Sequence, residues 1–307
     1  MSKPLLLRLH RWITLVFAFP LLAIIVTGLI LSIEPLVQTS GIGGPAIDAG
    51  RVVELVKRYD PDGKARGLSI NAASRRMTLL GTNLPAIDLA TGEAASTGST
   101  LSNVFLWARF THERLMGQAW LVTASTLAMV IILLLGLVMG LPRLRNTLSG
   151  WHKGTAWFTL PLILLSPLTG LFMAFGLTFQ TSPAPAAAGR PLALPDAIRM
   201  IAGSHELSHV ISIRIRGGSM MARLYDGGEL RAYAVTSSEV TPLPRNWPRL
   251  IHEGNWSALI ASPLNVVTSI ALLTLLSTGL LIWARRTLRK RRPRAQGPAD
   301  AAVVGAG

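Results

Sequence analysis

Residues 10–33 read HRWITLVFAFPLLAIIVTGLILSI, and this stretch decides the fold class. From Trp12 to Ile33 it carries no charged side chain. A bilayer core of about 30 Å requires roughly 20 apolar residues in helical form. Basic residues precede the run as they would precede a signal peptide, but the run is too long and no small-residue cleavage site follows it. We therefore expect a membrane-spanning helix that stays in the chain as an anchor.

Three further uncharged stretches of similar length begin near residues 114, 154 and 254. A mean hydropathy of +0.44 and 50% hydrophobic residues agree with a membrane protein. The sequence predicts an all-α membrane fold, a bundle of four transmembrane helices with two small α+β external segments. The predicted division is helix 1 at 1–33, an external segment at 34–110, helix 2 at 111–142, a loop at 143–153, helix 3 at 154–178, an external segment at 179–250, helix 4 at 251–285 and a basic tail at 286–307.

The formal net charge of +15 is unevenly distributed. Of the 30 basic residues, 13 lie in the N-terminal segment, the loop after helix 2 and the C-terminal tail, where Asp300 is the only acidic residue. Loops rich in Lys and Arg remain in the cytoplasm. The pattern predicts that both termini are cytoplasmic, and it argues against a nucleic-acid interface.

The two external segments are polar enough to fold in water, and each has the pattern of a short helix followed by antiparallel strands. The first predicts a helix over 50–60 and a hairpin of 68–71 with 76–80. The second predicts a helix over 194–203 and strands over 210–216, 219–225 and 229–235. Residues 181–195, rich in Ala and Pro, read as a linker.

The two halves of the chain repeat. His10 is followed 17 and 18 positions later by Thr27-Gly28, and His152 is followed at the same intervals by Thr169-Gly170. Span four ends on Thr278-Gly279, whereas span two has only Gly136 and Gly140. The pattern indicates a tandem duplication. Because each unit has two spans, we expect a pseudo-twofold axis along the membrane normal.

Four histidines occupy matching places in this repeat, with offsets of 142 and 140 residues between the halves. His10 and His152 begin spans one and three, while His112-Glu113 and His252-Glu253 precede spans two and four. The axis would bring His10 opposite His152 on the cytoplasmic face, and His112 opposite His252 on the other face. The sequence therefore predicts one bis-histidine site per membrane face.

This donor set suits haem b, and the amino-acid composition excludes several other redox cofactors. With no cysteine, iron–sulfur clusters and covalent c-type haem are excluded. Porphyrin is a flat apolar ring that fits between helices, and its iron accepts one imidazole on each side. Gly28, Gly170 and Gly279 would let a ring or a helix approach closely. The alternative is ordinary structure, with histidines at the membrane interface and Thr-Gly pairs in helix packing.

His205 and His209 have no counterpart in the first half. If they lay on one helix, their spacing of four residues could hold a divalent metal or contact an iron chelate. The other interpretation is a solvated surface. Motifs of hydrolases, such as H-E-x-x-H and G-x-S-x-G, are absent.

Several of these motifs together resemble the PepSY-associated transmembrane helix family. They are Leu9-His10-Arg11-Trp12, Thr111-His112-Glu113-Arg114-Leu115, Gly150-Trp151-His152-Lys153, Ile251-His252-Glu253-Gly254 and Thr278-Gly279-Leu280. The resemblance covers about residues 5 to 290. The external segments resemble degenerate PepSY domains. The family's ligand histidines correspond to His10, His112, His152 and His252.

Members of this family include iron-regulated inner-membrane proteins and haem-containing ferric-siderophore reductases. The resemblance implies two haem b groups, a bacterial inner-membrane location with periplasmic external segments, and reduction of a periplasmic ferric siderophore that releases ferrous iron. The electron donor would be a quinol or a cytoplasmic-side reductase. The short second external segment departs from the family and leaves the siderophore open. Two alternatives are a cytochrome b subunit for another redox partner and a non-enzymatic PepSY protein that binds a periplasmic partner.

Overall fold

The computed structural model describes residues 2–95, 100–115, 117–140, 145–182 and 191–290. The end of the basic tail, Arg143 and the middle of the predicted linker lie outside the described residues. The helices are α1 Lys3–Leu31, α2 Glu34–Thr39, α3 Ala49–Tyr59, α4 Thr100–Arg114, α5 Ala119–Val138, α6 Leu148–Phe158, α7 Leu160–Ala174, α8 Leu194–Ala202, α9 Trp247–His252 and α10 Ala258–Lys290. The strands are β1 Gly67–Asn71, β2 Arg76–Leu80, β3 Ile87–Asp88, β4 Val210–Arg216, β5 Ser219–Asp226, β6 Glu229–Val235 and β7 Val240–Pro242.

Within these ranges, three helical runs are long and apolar enough to cross a membrane: Lys3–Thr39, Ala119–Val138 and Ala258–Leu288. The predicted third span is not one continuous helix, because α6 and α7 meet at an angle of 66°. Pro161 lies in the first turn of α7, where its missing N–H cannot continue the hydrogen bonding of α6. The described residues therefore contain three continuous candidate spans and one bent pair.

The long helices pack in a closed arrangement, in which α1 and α7 each contact both α5 and α10. Their shared apolar layer contains Leu21, Ile25, Met129, Ile163, Ala271, Leu272 and Leu276. Large apolar side chains also cover the outer surface of the helices, as Phe19 and Phe158 do with 69% and 82% of their surface exposed. Such a surface is stable in lipid and unfavourable in water.

The described strands form one antiparallel sheet of seven strands in the order β3-β2-β1-β4-β5-β6-β7. The hairpin of β1 and β2 and the three strands of the second segment lie where the sequence predicts them. The two halves meet between β1 and β4, where Leu68 pairs with Ile213 and Ser69 with Ser212. Helices α3 and α8 contact each other, and their buried residues join one core with those of the sheet.

The predicted fold class, an all-α bundle of four helices with two small α+β segments, is therefore wrong. The two segments share one sheet and one apolar core that contains Val52, Leu68, Ile198 and Ile213, all buried. The physical reason is the strand edge. Separately, β1 and β4 would each leave a row of backbone N–H and C=O groups unpaired, and their pairing satisfies both rows.

Candidate functional site

In the first half of the chain, two histidines each contact the backbone of a neighbouring long helix. His10, near the start of α1, has its Nδ1 3.0 Å from the carbonyl oxygen of Ile132 on α5. His112, in the last turn of α4 just before α5, has its Nδ1 3.0 Å from the carbonyl oxygen of Ile24 on α1. The hydroxyl oxygen of Thr27 lies 3.2 Å from the same nitrogen. The contacts are thus reciprocal.

The second half repeats this arrangement. Nδ1 of His252, at the end of α9, lies 2.9 Å from the carbonyl oxygen of Ser166 and 3.1 Å from Oγ1 of Thr169, both on α7. Nδ1 of His152, on α6, lies 2.8 Å from Oγ1 of Thr278 on α10. The duplication inferred from the sequence is therefore also a duplication of hydrogen bonding.

A glycine follows each group of acceptors and makes room for the imidazole. A Cβ atom added to Gly28 would lie 3.2 Å from Cε1 of His112, and one added to Gly170 would lie 3.2 Å from Cε1 of His252. The corresponding distances are 3.5 Å for Gly279 and His152, and 4.0 Å for Gly136 and His10. Each Thr-Gly pair seen in the sequence thus contacts a histidine from a neighbouring helix.

These contacts fix which nitrogen of each ring carries the proton. A backbone carbonyl can only accept a hydrogen bond, so Nδ1 of His10, His112 and His252 must donate. Thr278 donates its own proton to the carbonyl of Thr274, so it accepts from His152. In the part of the chain that the structure describes, Nε2 of each ring has no hydrogen-bond partner. Each neutral ring therefore presents the lone pair of Nε2, which is the usual state of a metal-ligating histidine.

His112 and His252 form what we call the sheet-side pair, because residues of the sheet line the space beside it. Their ring centroids are 6.0 Å apart, with 44° between the ring planes. Two metal–nitrogen bonds of about 2 Å each and the radii of two imidazole rings together span roughly 6 Å. This spacing would let one metal atom bind a nitrogen of each ring. The space beside them is about 140 Å³.

His10 and His152 form the basic-side pair, which lines a much larger cavity of about 730 Å³. Apolar side chains of the helices line most of its depth, among them Leu21, Ile163 and Leu276. Basic residues also line it, namely Lys3, Arg8, Arg11, Lys153 and Arg286. Its volume lies within the range of about 300–1,000 Å³ that is usual for small-molecule sites.

Charged residues surround the sheet-side pair in ion pairs. Arg109 pairs with Glu34, and its other terminal nitrogen lies 3.7 Å from Glu113. Arg223 of the sheet lies 3.3 Å from Glu253. Glu113 and Glu253, adjacent to the histidines in the sequence, therefore bind arginines rather than the imidazoles. The sequence motifs did not predict that the backbone carbonyls of Ile24, Ser166 and Ile132 accept hydrogen bonds from the histidines. A glycine four residues after each of them is the sequence signal that could have identified these acceptors.

His205 and His209 are not on a common helix. His205 follows α8, and its ring lies edge-on against Tyr233 at 5.0 Å. His209 ends a short 3₁₀ turn, Leu207–His209, and its Nδ1 lies 3.1 Å from the carbonyl oxygen of Tyr225. Among the described residues, no group of three or more His, Cys, Asp or Glu side chains could hold a metal ion. The external metal site stays a prediction.

Comparison with known protein families identifies the family of this chain. The family model for the PepSY-associated TM region matches residues 7–286. The chain therefore belongs to this family, and it is a membrane protein of that class. No curated protein matches the chain.

Proposed function

We propose that this protein is a haem-binding oxidoreductase of a bacterial inner membrane, which reduces ferric siderophores on the periplasmic side and releases ferrous iron. The observation that supports it most is the repeated histidine geometry. Four half-buried rings donate from Nδ1 to a neighbouring helix and present Nε2; His112 and His252 lie ring to ring, and His10 and His152 line one cavity. Interface histidines that only contact headgroups would not need this arrangement.

Both pairs offer imidazoles that would hold haem b, and the cavity at the basic-side pair is large enough for its ring. At the basic-side pair, a cavity of about 730 Å³ combines an apolar interior with two imidazoles. The basic residues along it supply charge of the sign that two propionates require. At the sheet-side pair, His112 and His252, whose rings are 6.0 Å apart, would hold the iron, and the space of about 140 Å³ beside them would have to widen to admit the porphyrin. Haem iron, when bound, supplies one-electron chemistry by changing between its ferric and ferrous states.

The chain's own residues would perform three tasks. The carbonyls of Ile24, Ser166 and Ile132 orient the imidazoles and fix their tautomer. The buried apolar side chains of Leu21, Ile163 and Leu272, which line the basic-side cavity, would provide an apolar surface for the porphyrin ring. The basic residues near both termini favour a cytoplasmic position for the basic-side pair, which would place the sheet in the periplasm.

The release of iron follows from ligand preference. Siderophores bind hard ferric iron through oxygen donors and hold ferrous iron far more weakly. One electron per iron is sufficient, so one quinol, losing two electrons and two protons, would reduce two ferric ions. The donor is a quinol or a cytoplasmic-side reductase.

The test uses the purified full-length protein. We expect a reduced-minus-oxidised spectrum with the bands of haem b. After reduction with dithionite and removal of the excess, an anaerobic ferric siderophore should reoxidise the protein while a ferrous-specific chromophore captures the product. His205→Ala, outside the helices, is the matched control and should behave like the native protein.

Each negative result has a distinct meaning. If the protein has no haem bands, the oxidoreductase proposal is wrong, and a non-enzymatic PepSY protein is the better account. If haem is present but no ferric chelate reoxidises it, the protein is a cytochrome b that serves another partner.

A further inference from the structure

One face of the sheet is covered by the shared core, and the opposite face carries arginines. Strand β4 places Ser212, Arg214 and Arg216 on this second face, because alternate residues of a strand point the same way. Arg223 of β5 pairs directly with Ser212, so it shares the face. We call Arg214, Arg216, Arg223 and Arg249 of the adjacent α9 the arginine face.

The arginine face reaches the sheet-side histidine pair. Arg223 lines the same space as His112 and His252. The backbone N–H of Leu230, also on this face, donates to the carbonyl of Asn255, 2.8 Å away, in the loop that follows His252. An anion bound along the arginine face would therefore lie beside the histidines.

The positive charge of this face is not balanced by the protein. Arg223 and Arg249 share a single carboxylate, Glu253, with a distance of 3.3 Å from each. Arg214 and Arg216 have no ion pair within the described part of the chain. Burial, followed by the charges of Arg223, Arg216 and Arg249, lowers the pKa of the Arg214 guanidinium. Clustered like charges are unfavourable unless an anion neutralises them.

Two local features support a ligand role. Gly67 of β1 lies opposite Arg214, and a Cβ atom there would be 2.8 Å from Cα and Cβ of Arg214, so no side chain covers the arginine from that strand. The buried Nε of Arg249 lies 3.3 Å from Glu253 in an ion pair, but its N–H forms no hydrogen bond among the described residues. Guanidinium groups bind carboxylates in a bidentate manner, which gives both charge and geometric selectivity.

We propose that the arginine face binds an anionic, carboxylate-bearing iron chelate and thereby selects the substrate class of the reductase. This inference rests on the proposed function for the role of the iron, but the binding itself does not depend on haem. Neutral or cationic hydroxamate chelates gain nothing from four guanidinium groups, whereas a citrate-type chelate gains several charge-assisted contacts.

Binding is tested separately from electron transfer with gallium, which forms similar chelates and is not reduced under these conditions. Full-length protein in neutral phosphatidylcholine nanodiscs is titrated with radiolabelled gallium citrate and with the cationic gallium complex of desferrioxamine B. We expect the citrate complex to bind more tightly. Arg214→Gln with Arg216→Gln should weaken citrate binding about tenfold or more, because each substitution removes a charged contact with the ligand.

Two variants serve as controls. Lys57→Gln with Arg199→Gln, on the exposed surfaces of α3 and α8, removes the same two charges away from this face and should leave the affinity unchanged. Arg214→Lys with Arg216→Lys keeps the charge and should restore part of the affinity. If the Gln variant binds citrate as the native protein does, or if both gallium complexes bind equally well, the proposal is wrong.

A second arm distinguishes a lipid headgroup from a chelate. The titration is repeated in nanodiscs that contain phosphatidylglycerol. We expect the citrate affinity to stay within about twofold; if the anionic lipid abolishes citrate binding to the native protein, the face is a headgroup site and the proposal is overturned. A protein that binds gallium citrate but has no haem bands would contradict the proposed function alone.

Discussion

The two histidine pairs arise from the same repeat, yet their surroundings differ. The sheet-side pair is compact: its rings are 6.0 Å apart, its space is about 140 Å³, and each Nδ1 has both a carbonyl and a threonine hydroxyl within reach. The basic-side pair lines a cavity of about 730 Å³. A Cβ atom added to Gly279 would lie 3.5 Å from His152, and one added to Gly136 would lie 4.0 Å from His10. The protein alone positions the first pair tightly, whereas the second is held more loosely around an open volume.

This difference follows from what lies beyond each pair. Beyond His112 and His252, the sheet and the ion pairs of Arg109 and Arg223 close the space. Among the described residues, the ends of helices with basic side chains lie beyond His10 and His152. A duplicated helix pair can therefore build two sites that have the same histidine donors but differ in how tightly the protein positions them.

The largest expected effect comes from the glycines of the tight pair. In Gly28→Ala with Gly170→Ala, each new methyl group would lie 3.2 Å from an imidazole carbon, so both rings must shift. We expect the protein to lose about half of its haem, all of it from the sheet-side pair, as measured by the pyridine haemochrome.

The matched control for this change is Gly136→Ala, whose methyl group would lie 4.0 Å from His10 at an ordinary contact distance. It should keep its full haem content, and it should unfold no more easily, because alanine favours a helix interior by roughly 1 kcal/mol over glycine. Equal haem loss in both variants would remove the distinction between a tight and a loose pair.

A smaller effect is expected from the threonine hydroxyls. Thr27→Val and Thr169→Val remove one acceptor from Nδ1 of His112 and His252 and leave the carbonyl in place. A hydrogen bond contributes about 1 kcal/mol, which corresponds to roughly 40 mV for a one-electron couple. The imidazoles become weaker donors to ferric iron, so the midpoint potential of one haem should rise by tens of millivolts in a potentiometric titration.

The converse change is available at the other pair, where Leu135 stands in the place that threonine occupies in the other three sites. Leu135→Thr should lower the potential of the second haem and leave the first unchanged. If the threonine variants shift both haems equally, the hydroxyls do not act through their own histidine.

Part of this site can be derived from the sequence alone. The offsets of the repeat pair His112 with His252, and the ring contact at 6.0 Å agrees with that pairing. The hydrogen bonds could not be derived, because the interval from His10 to Thr27-Gly28 lies within one helix. The glycine beside His10 is Gly136, on another helix, and spacing along one helix does not identify a partner across helices.

The order of the strands in the sheet could also be predicted only in part from the sequence. The alternation of apolar residues identifies β1 and β4 as strands, but not that they are neighbours. That pairing depends on which unpaired edges the helices bring together. The bend between α6 and α7 has a visible signal, Pro161, but a proline is equally compatible with a mild kink in one continuous span.

The most direct test of the central claim is the haem-to-protein ratio when the histidines are replaced by pairs. The account predicts two haems per native chain, one in His10→Ala with His152→Ala, one in His112→Ala with His252→Ala, and none in the fourfold variant. His205→Ala with His209→Ala should keep both. Native haem content in the fourfold variant would contradict the account.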